Sequence, residues 1–481
     1  MSKHRPCPPD GSWHWSQGIA LLLAGSLLLV AGCGGDHAPD NAIEPDNRDP
    51  GPVDWFMGQT LYELHLRAFS SSGDLDGAIQ ELDRLSDLGV ANLVLAPIFP
   101  TGEPERPGEL GNLYAVRDHG TVADEFGDLA ALQRFVAAAH ERGLGVLLDV
   151  VLPVAAVNHV QMDEHANWFR RDATGALTRK MTRWTGIADF DFDNAEVREY
   201  LEGTLKHWVR ESGVDGFRCA LATLAPDDFW QALILNLHEA HPDVVFVAES
   251  ADPRSLELGF LAIYASGLKE RLDECRMEDM AEPGLTEELW LALSATADLP
   301  GPNQTTVIYL EDHFSPRSST LYRWPYVRGY AAFLMTVPGT PQLLMGQEIA
   351  DRSPATPSEP WSVAWTAGNP DYLDLYTDVT RLRGSSAVLR RGSLERIHAE
   401  HPDVLVYTRS LGGEMMLCAV NLSDLRPTFR LPPDLAARPW HEWRGGQFHP
   451  VAEASMQGEL TVDPTGYRVW YSSQRTPGSR P

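Results

Sequence analysis

From Trp55 to about residue 390 the chain alternates between two hydrophobic textures. Short continuous apolar runs near 60–64, 92–96, 146–151, 215–220, 244–249, 305–310 and 342–346 read as strands buried on both faces. Between them, near 75–88, 128–142, 194–212, 226–240, 285–296, 326–336 and 371–383, apolar residues return every three or four positions, which predicts helices with one buried face. Leu75, Ile79, Leu82, Leu85 and Leu88, closed by Gly89, are the plainest case of an amphipathic helix with a glycine stop. Strand and helix alternating every roughly thirty to forty residues predict βαβ units and a parallel sheet. Eight such units close a (β/α)8 TIM barrel whose functional face lies at the C-terminal ends of its strands. Seven strands stand out, and the sixth is expected within 258–275, where the pattern is weakest. Beyond about residue 390 the runs at 404–408, 415–421 and 467–471 alternate with turn residues and predict an antiparallel β-sandwich. The expected organisation is a barrel over 54–388 with a short inserted region at about 153–192 after its third strand. A C-terminal sandwich over 389–473 and a disordered tail over 474–481 follow.

Composition narrows the function. With 481 residues and 14 Trp the chain can bury a large core and a second, smaller one. The formal charge of −28, from 39 Lys+Arg against 67 Asp+Glu, excludes electrostatic capture of nucleic acid or of an anionic membrane face. A neutral ligand such as a sugar is unaffected. At the N-terminus, Lys3 and Arg5 precede an apolar run over 19–30 that is short for a bilayer span and reads as an export signal over 1–32. Its end, Val30-Ala31-Gly32-Cys33, resembles the lipobox of bacterial lipoproteins, in which the Cys becomes an acylated N-terminus. The Gly-, Pro-, Asp- and Asn-rich segment 33–53 then serves as a flexible tether. These features place the protein in the bacterial cell envelope, anchored through Cys33 to the outer membrane or facing the periplasm. Cys219, Cys275 and Cys418 remain for the folded part; they show no metal-ligand spacing and are expected as buried free thiols, with one disulfide as the alternative.

Candidate chemistry clusters at the strand ends. Leu113-Tyr114-Ala115-Val116-Arg117-Asp118, Glu125-Phe126-Gly127-Asp128-Leu129, Leu148-Asp149-Val150-Val151, Gly216-Phe217-Arg218, Val247-Ala248-Glu249, Leu310 to Phe314 and Gly346-Gln347-Glu348 occur in the order of the motifs of glycoside hydrolase family 13, the α-amylase family. From about residue 55 to 473 the chain resembles a member of that family. The resemblance implies a retaining mechanism with two carboxyl groups about 5–5.5 Å apart, one a nucleophile and one an acid/base. It also implies a third carboxylate that stabilises the distorted sugar. Carried over by position, Glu249 matches the acid/base, Tyr114 the residue stacking under the reacting sugar, Arg218 the arginine orienting the nucleophile, and His313 the histidine beside the third carboxylate.

Two positions depart from that pattern. Ala220 stands where the nucleophile is expected and Phe314 where the third carboxylate is expected, while Asp312 replaces the family's usual Asn. A methyl group cannot attack an anomeric carbon. After the third strand Pro153-Val154 intervene, so Asn158-His159 come late; His159 is expected still to reach the sugar, whereas the calcium site the family often builds on that Asn is weakened. No organic cofactor is implied. Trp168 and Trp184 in the inserted region are candidates either for stacking on sugar or for packing.

The favoured reading is a lipid-anchored α-amylase-family protein of carbohydrate metabolism with lost or strongly reduced glycosidase activity. It would bind an α-glucan, a maltooligosaccharide or a protein partner. The alternative is an active α-glucan hydrolase or transglycosidase that keeps Glu249 as general acid and takes its second carboxylate from elsewhere, Asp312 or Asp252. A purely interacting role, as in transporter heavy chains that resemble the family, is the third.

Overall fold

The computed structural model describes residues 53–473 apart from 106, 183, 278–284, 298–302, 323, 357 and 400. The export signal, Cys33, most of the tether and the tail lie outside the described residues. Eight parallel strands close a barrel in sequence order: β1 (Leu61–Leu64), β2 (Asn92–Leu95), β3 (Gly145–Val150), β4 (Gly216–Cys219), β5 (Val245–Ala248), β6 (Ala262–Tyr264), β7 (Thr305–Tyr309) and β8 (Thr340–Leu344), with β8 pairing back onto β1. The weak sixth strand is only three residues long, which is why its apolar run is hard to see in the sequence.

Period-two alternation decides what each strand sends inward. Leu61, Leu147, Val245, Val247, Ala262 and Val307 fill the barrel with hydrocarbon. One step further toward the C-terminal ends, Glu63, Asp149, Arg218 and Gln342 replace hydrocarbon with buried polar groups. In β3 and β4, Asp149 and Arg218 are direct register partners. The barrel is a packed core crowned by a polar layer.

Capping residues fix the helix starts. Asp128 accepts from the Ala131 N–H at 2.8 Å before Leu129–His140, and Asn194 caps Ala195–Ser212, which ends at Gly213 with φ 74°. One expected helix is divided: 75–88 forms Leu75–Ile79 and Leu82–Leu88. Gln80 and Glu81 donate three residues back, to Gly77 and Ala78, and this tighter turn separates the two pieces. The inserted region contributes a short antiparallel ladder of Val154–Ala156 with Ile187–Asp189.

The C-terminal part is a six-stranded antiparallel sheet, β9 (Ser393–Ile397), β10 (Val404–Leu411), β11 (Glu414–Asn421), β12 (His441–Arg444), β13 (Gln447–Pro450) and β14 (Tyr467–Ser473), in the order β9-β10-β11-β14-β12-β13. Its outer face packs against the ladder of Thr428–Phe429 with Leu460–Thr461 through Trp440, Trp470, Phe429 and Leu460. Its inner face, with Leu405, Tyr407, Met416 and Cys418, belongs to the same hydrophobic core as the helices around the barrel. The sheet thus shares its inner face with the barrel's core and builds the second, smaller core on its outer face. Cys219 and Cys418 are buried free thiols, and the side chain of Cys275 lies outside the described part.

Two buried arginines clamp backbone carbonyls, Arg409 across this junction and Arg383 within the barrel part. Arg409 donates to the Thr336 and Gly392 carbonyls at 2.8 and 2.9 Å. Arg383, fully buried, donates to the carbonyls of Gly58 and Val337 at 2.7 Å each, of Met335 at 3.3 Å, and of Gly339. Arg383→Leu leaves those buried acceptors unpaired and is expected to lower stability by about 3 kcal/mol or more, read from urea denaturation. An unchanged midpoint would show that the clamp is dispensable.

Candidate active site

The polar crown is held by one guanidinium. Arg218, 1% exposed, contacts Asp149 through Nη2, lies 3.1 Å through Nη1 from Glu63 Oε2, and donates to the Tyr264 hydroxyl at 3.3 Å. Tyr264 donates to Gln342 Oε1 at 2.7 Å, and Gln342 Nε2 donates to Glu63 Oε2 at 2.9 Å, so Glu63, Arg218, Tyr264 and Gln342 form a closed ring. The other oxygen of Glu63 meets His313 Nδ1 and, at 3.1 Å, His65 Nε2. His313 Nε2 lies 2.5 Å from the Tyr114 hydroxyl. Glu249 follows β5, half-buried, with its N–H on the Cys219 carbonyl at 3.0 Å.

Aromatic rings cover this cluster. Tyr114 is 2% exposed, with Trp184 on one side at 5.0 Å between centroids and Phe314 stacked at 6.1 Å. Phe314 also packs on His313 at 3.9 Å and remains 40% exposed. It therefore stands above the cluster as part of its cover instead of filling the space among Tyr114, Arg218, Glu249 and His313. Glu63, Asp149, Arg218 and His313 are all sealed from water beneath these rings.

Burial without full pairing sets the electrostatics. Asp149 Oδ1, Arg218 Nε and His65 Nδ1 are buried and have no hydrogen-bond partner, at a cost of about 1–3 kcal/mol each. Burial pushes Asp149 up despite Arg218. For Glu63 the Arg218 and His313 charges overcome burial and hold its carboxyl well below the usual range. The Glu63 charge lifts His313 against the effect of its burial. Burial raises Glu249 to about 7, with Arg218 opposing and Asp149 adding. A carboxyl protonated near neutrality is what a general acid requires.

Sequence-expected residues divide clearly. Tyr114, Arg218 and His313 belong to the cluster, and Glu249 is close enough to share its field. Ala220 is fully buried, its N–H on the Val150 carbonyl. Asp312 is tied into the turn after β7: its Oδ1 accepts from the Phe314 N–H at 3.0 Å and its own N–H donates to Ser315 Oγ at 2.9 Å. His159, expected to reach the sugar, does not join the cluster. It is buried against His119, 3.1 Å between ring nitrogens. Because His119 Nε2 donates to the Val151 carbonyl and His159 Nδ1 accepts from Gln161 N–H, the shared proton sits on His159 Nε2. The segment after β3 forms the strand Val154–Ala156 of the short ladder, and that displaces His159. Trp168 is a packing residue, 6% exposed with Nε1 on Glu196 at 2.8 Å. Asn158 Oδ1 is buried and unpartnered, yet among the described residues no group of three His, Cys, Asp or Glu side chains converges on it. Calcium wants six to eight oxygens, so this position does not fit it.

Sequence reasoning assigned no role to Glu63, His65, Asp149, Tyr264 or Gln342. A signal existed for the first two: polar residues two apart in an apolar strand share one face, and here that face is the barrel interior.

Comparison with known proteins matches this architecture. Residues 54–184 match the α-amylase catalytic domain family, and residues 394–469 match the maltogenic amylase C-terminal domain family. It is 25% identical over 401 residues to α-amylase MalA of Haloarcula japonica, covering 79% of this chain and 57% of that protein. The crystal structure of a noncanonic maltogenic α-amylase, AmyB of Thermotoga neapolitana, superposes with a TM-score of 0.76 at 26% identity, covering 87% of this chain and 99% of that one. A more distant fold relative, AmyP, was solved in complex with maltose; it is 17% identical with a TM-score of 0.72, covering 89% of this chain and 100% of that one.

The raised Glu249 carboxyl makes stability depend on pH. Its folded pKa of about 7 lies above the ordinary 4.5, so across that window the native state keeps a proton that the unfolded chain has shed. The resulting stabilisation is present at low pH and is lost as pH rises through 7. Glu249→Gln has no such proton to lose. Its urea midpoint is expected to match wild type near pH 4.5 and to exceed it at pH 8; parallel pH profiles would refute the assignment.

Proposed function

We propose that this chain is an exported, lipid-anchored member of glycoside hydrolase family 13 that has lost ordinary retaining turnover and binds α-glucan. One observation carries the reading: the position that should offer an attacking carboxylate holds buried Ala220, while the nearest inward carboxylates, Glu63 and Asp149, are engaged by Arg218 under an aromatic cover. Loss of a cooperating catalytic group costs on the order of 10⁴–10⁶ in rate. The surviving Glu249 could donate a proton, but proton donation alone forms no glycosyl-enzyme. Exposed Phe314, stacked on Tyr114, offers apolar ring surface against which the C–H face of a glucose unit can pack.

A second reading is an active α-glucan hydrolase or transglycosidase with Glu249 as acid, and the comparisons weigh toward it. The Haloarcula and Thermotoga relatives are both named as α-amylases. Incubation of the protein with maltooligosaccharides and starch separates the two. The pseudoenzyme reading expects turnover at least about 10⁴-fold below that of an ordinary amylase, together with maltooligosaccharide binding that Phe314→Ala weakens. Amylase-like turnover abolished by Glu249→Gln establishes the second reading, and calorimetric silence across a panel of glucans would instead favour a protein partner.

Attachment rests on Cys33 at the end of the lipobox-like Val30-Ala31-Gly32-Cys33. Expression in a bacterial host with labelled palmitate should label the wild-type chain and leave Cys33→Ser unlabelled and released from membranes. Equal labelling of both chains would remove the anchor from the account.

A further inference from the structure

We propose that Glu63, His65 and His313 form a three-ligand site for a divalent transition-metal ion at the mouth of the barrel. Their ligand atoms all lie within 4.8 Å of one another, and all three side chains are buried. Glu63 Oε1 is the shared point, 3.1 Å from His65 Nε2 and in contact with His313 Nδ1. Two donors bound to one ion at about 2.0–2.1 Å in tetrahedral geometry stand about 3.3 Å apart. The Glu63–His65 spacing already has the length of such an edge.

Two of the three ligands, Glu63 and His313, have partners behind them, while His65 Nδ1 has none. Glu63 Oε2 is occupied by Gln342 at 2.9 Å and Arg218 Nη1 at 3.1 Å, and Oε1 faces the two imidazoles while also accepting from Arg218 Nη2 at 3.3 Å. The far nitrogen of His313 is held by the Tyr114 hydroxyl at 2.5 Å. Such outer partners fix ring orientation and carboxylate direction in metal centres. In the same network Asp149 Oδ1 is buried and has no partner. A dication taking the place of the His313 proton would supply one further positive charge. Two imidazoles and one carboxylate select borderline ions such as Zn²⁺, Co²⁺ or Fe²⁺ over the oxygen-seeking Ca²⁺ and Mg²⁺. Three protein ligands also leave a coordination position open. The ion would tie β1 directly to the turn after β7.

The test uses the purified protein and metal alone, with no glucan present. After dialysis against chelator and then against micromolar Zn²⁺ or Co²⁺, the protein should retain one ion per chain by elemental analysis. The Co²⁺ form should show visible d–d absorption, and Zn²⁺ should raise Tm. Glu63→Gln and His65→Gln should each weaken binding at least about tenfold, whereas His207→Gln, on an outer helix, should bind as wild type does. If one ligand variant does not fold by circular dichroism, the other decides. No retained ion in the wild type, or binding unchanged in the ligand variants, overturns the proposal.

Discussion

A guanidinium buried at the centre of the barrel mouth is the constraint from which the rest follows. Arg218 cannot shed its charge, and with 1% exposure it cannot hydrate it. It must therefore be surrounded by acceptors that the fold delivers: Asp149 from the adjacent strand, Glu63 from across the barrel and the Tyr264 hydroxyl from β6. Removing one partner of a buried ion pair strands the other charge, so these positions are mutually locked. The result is a self-contained ion network at the C-terminal mouth of the barrel.

That network was only partly legible in the sequence. The barrel strands were readable because parallel strands covered on both faces must be continuous apolar runs, and the helices because their buried faces recur at helical spacing. Ala220 and Phe314 stood out against family motifs. Glu63 did not, since its role depends on β1 closing onto β8 and facing Arg218, 155 residues away in sequence. His159 misled for a related reason: its motif is present, but the residues between it and β3 form the strand Val154–Ala156, and the ring lies against His119. The division of the helix over 75–88 depended on a local tightening of the hydrogen bonds that apolar spacing does not record.

The aromatic cover has a physical consequence of its own. Phe314 packs on Tyr114 and His313 at the rim, and beneath it Tyr114 is interior, 2% exposed. Glu249, half-buried and pushed up to about 7, keeps the protonation of an acid. Acid function, ion network and aromatic surface are thus separable in this chain, although a working retaining glycosidase needs its carboxyl pair to act together.

Trapping of a covalent intermediate tests the central claim most directly. Incubation with a fluorinated α-glucosyl fluoride, followed by intact-protein mass spectrometry, should show unmodified mass for this chain and one added sugar in the Ala220→Asp, Phe314→Asp double variant if the scaffold still admits the reagent. A stoichiometric glycosyl adduct on the unaltered protein, mapped to Glu63, Asp149 or any other carboxylate, would contradict the account.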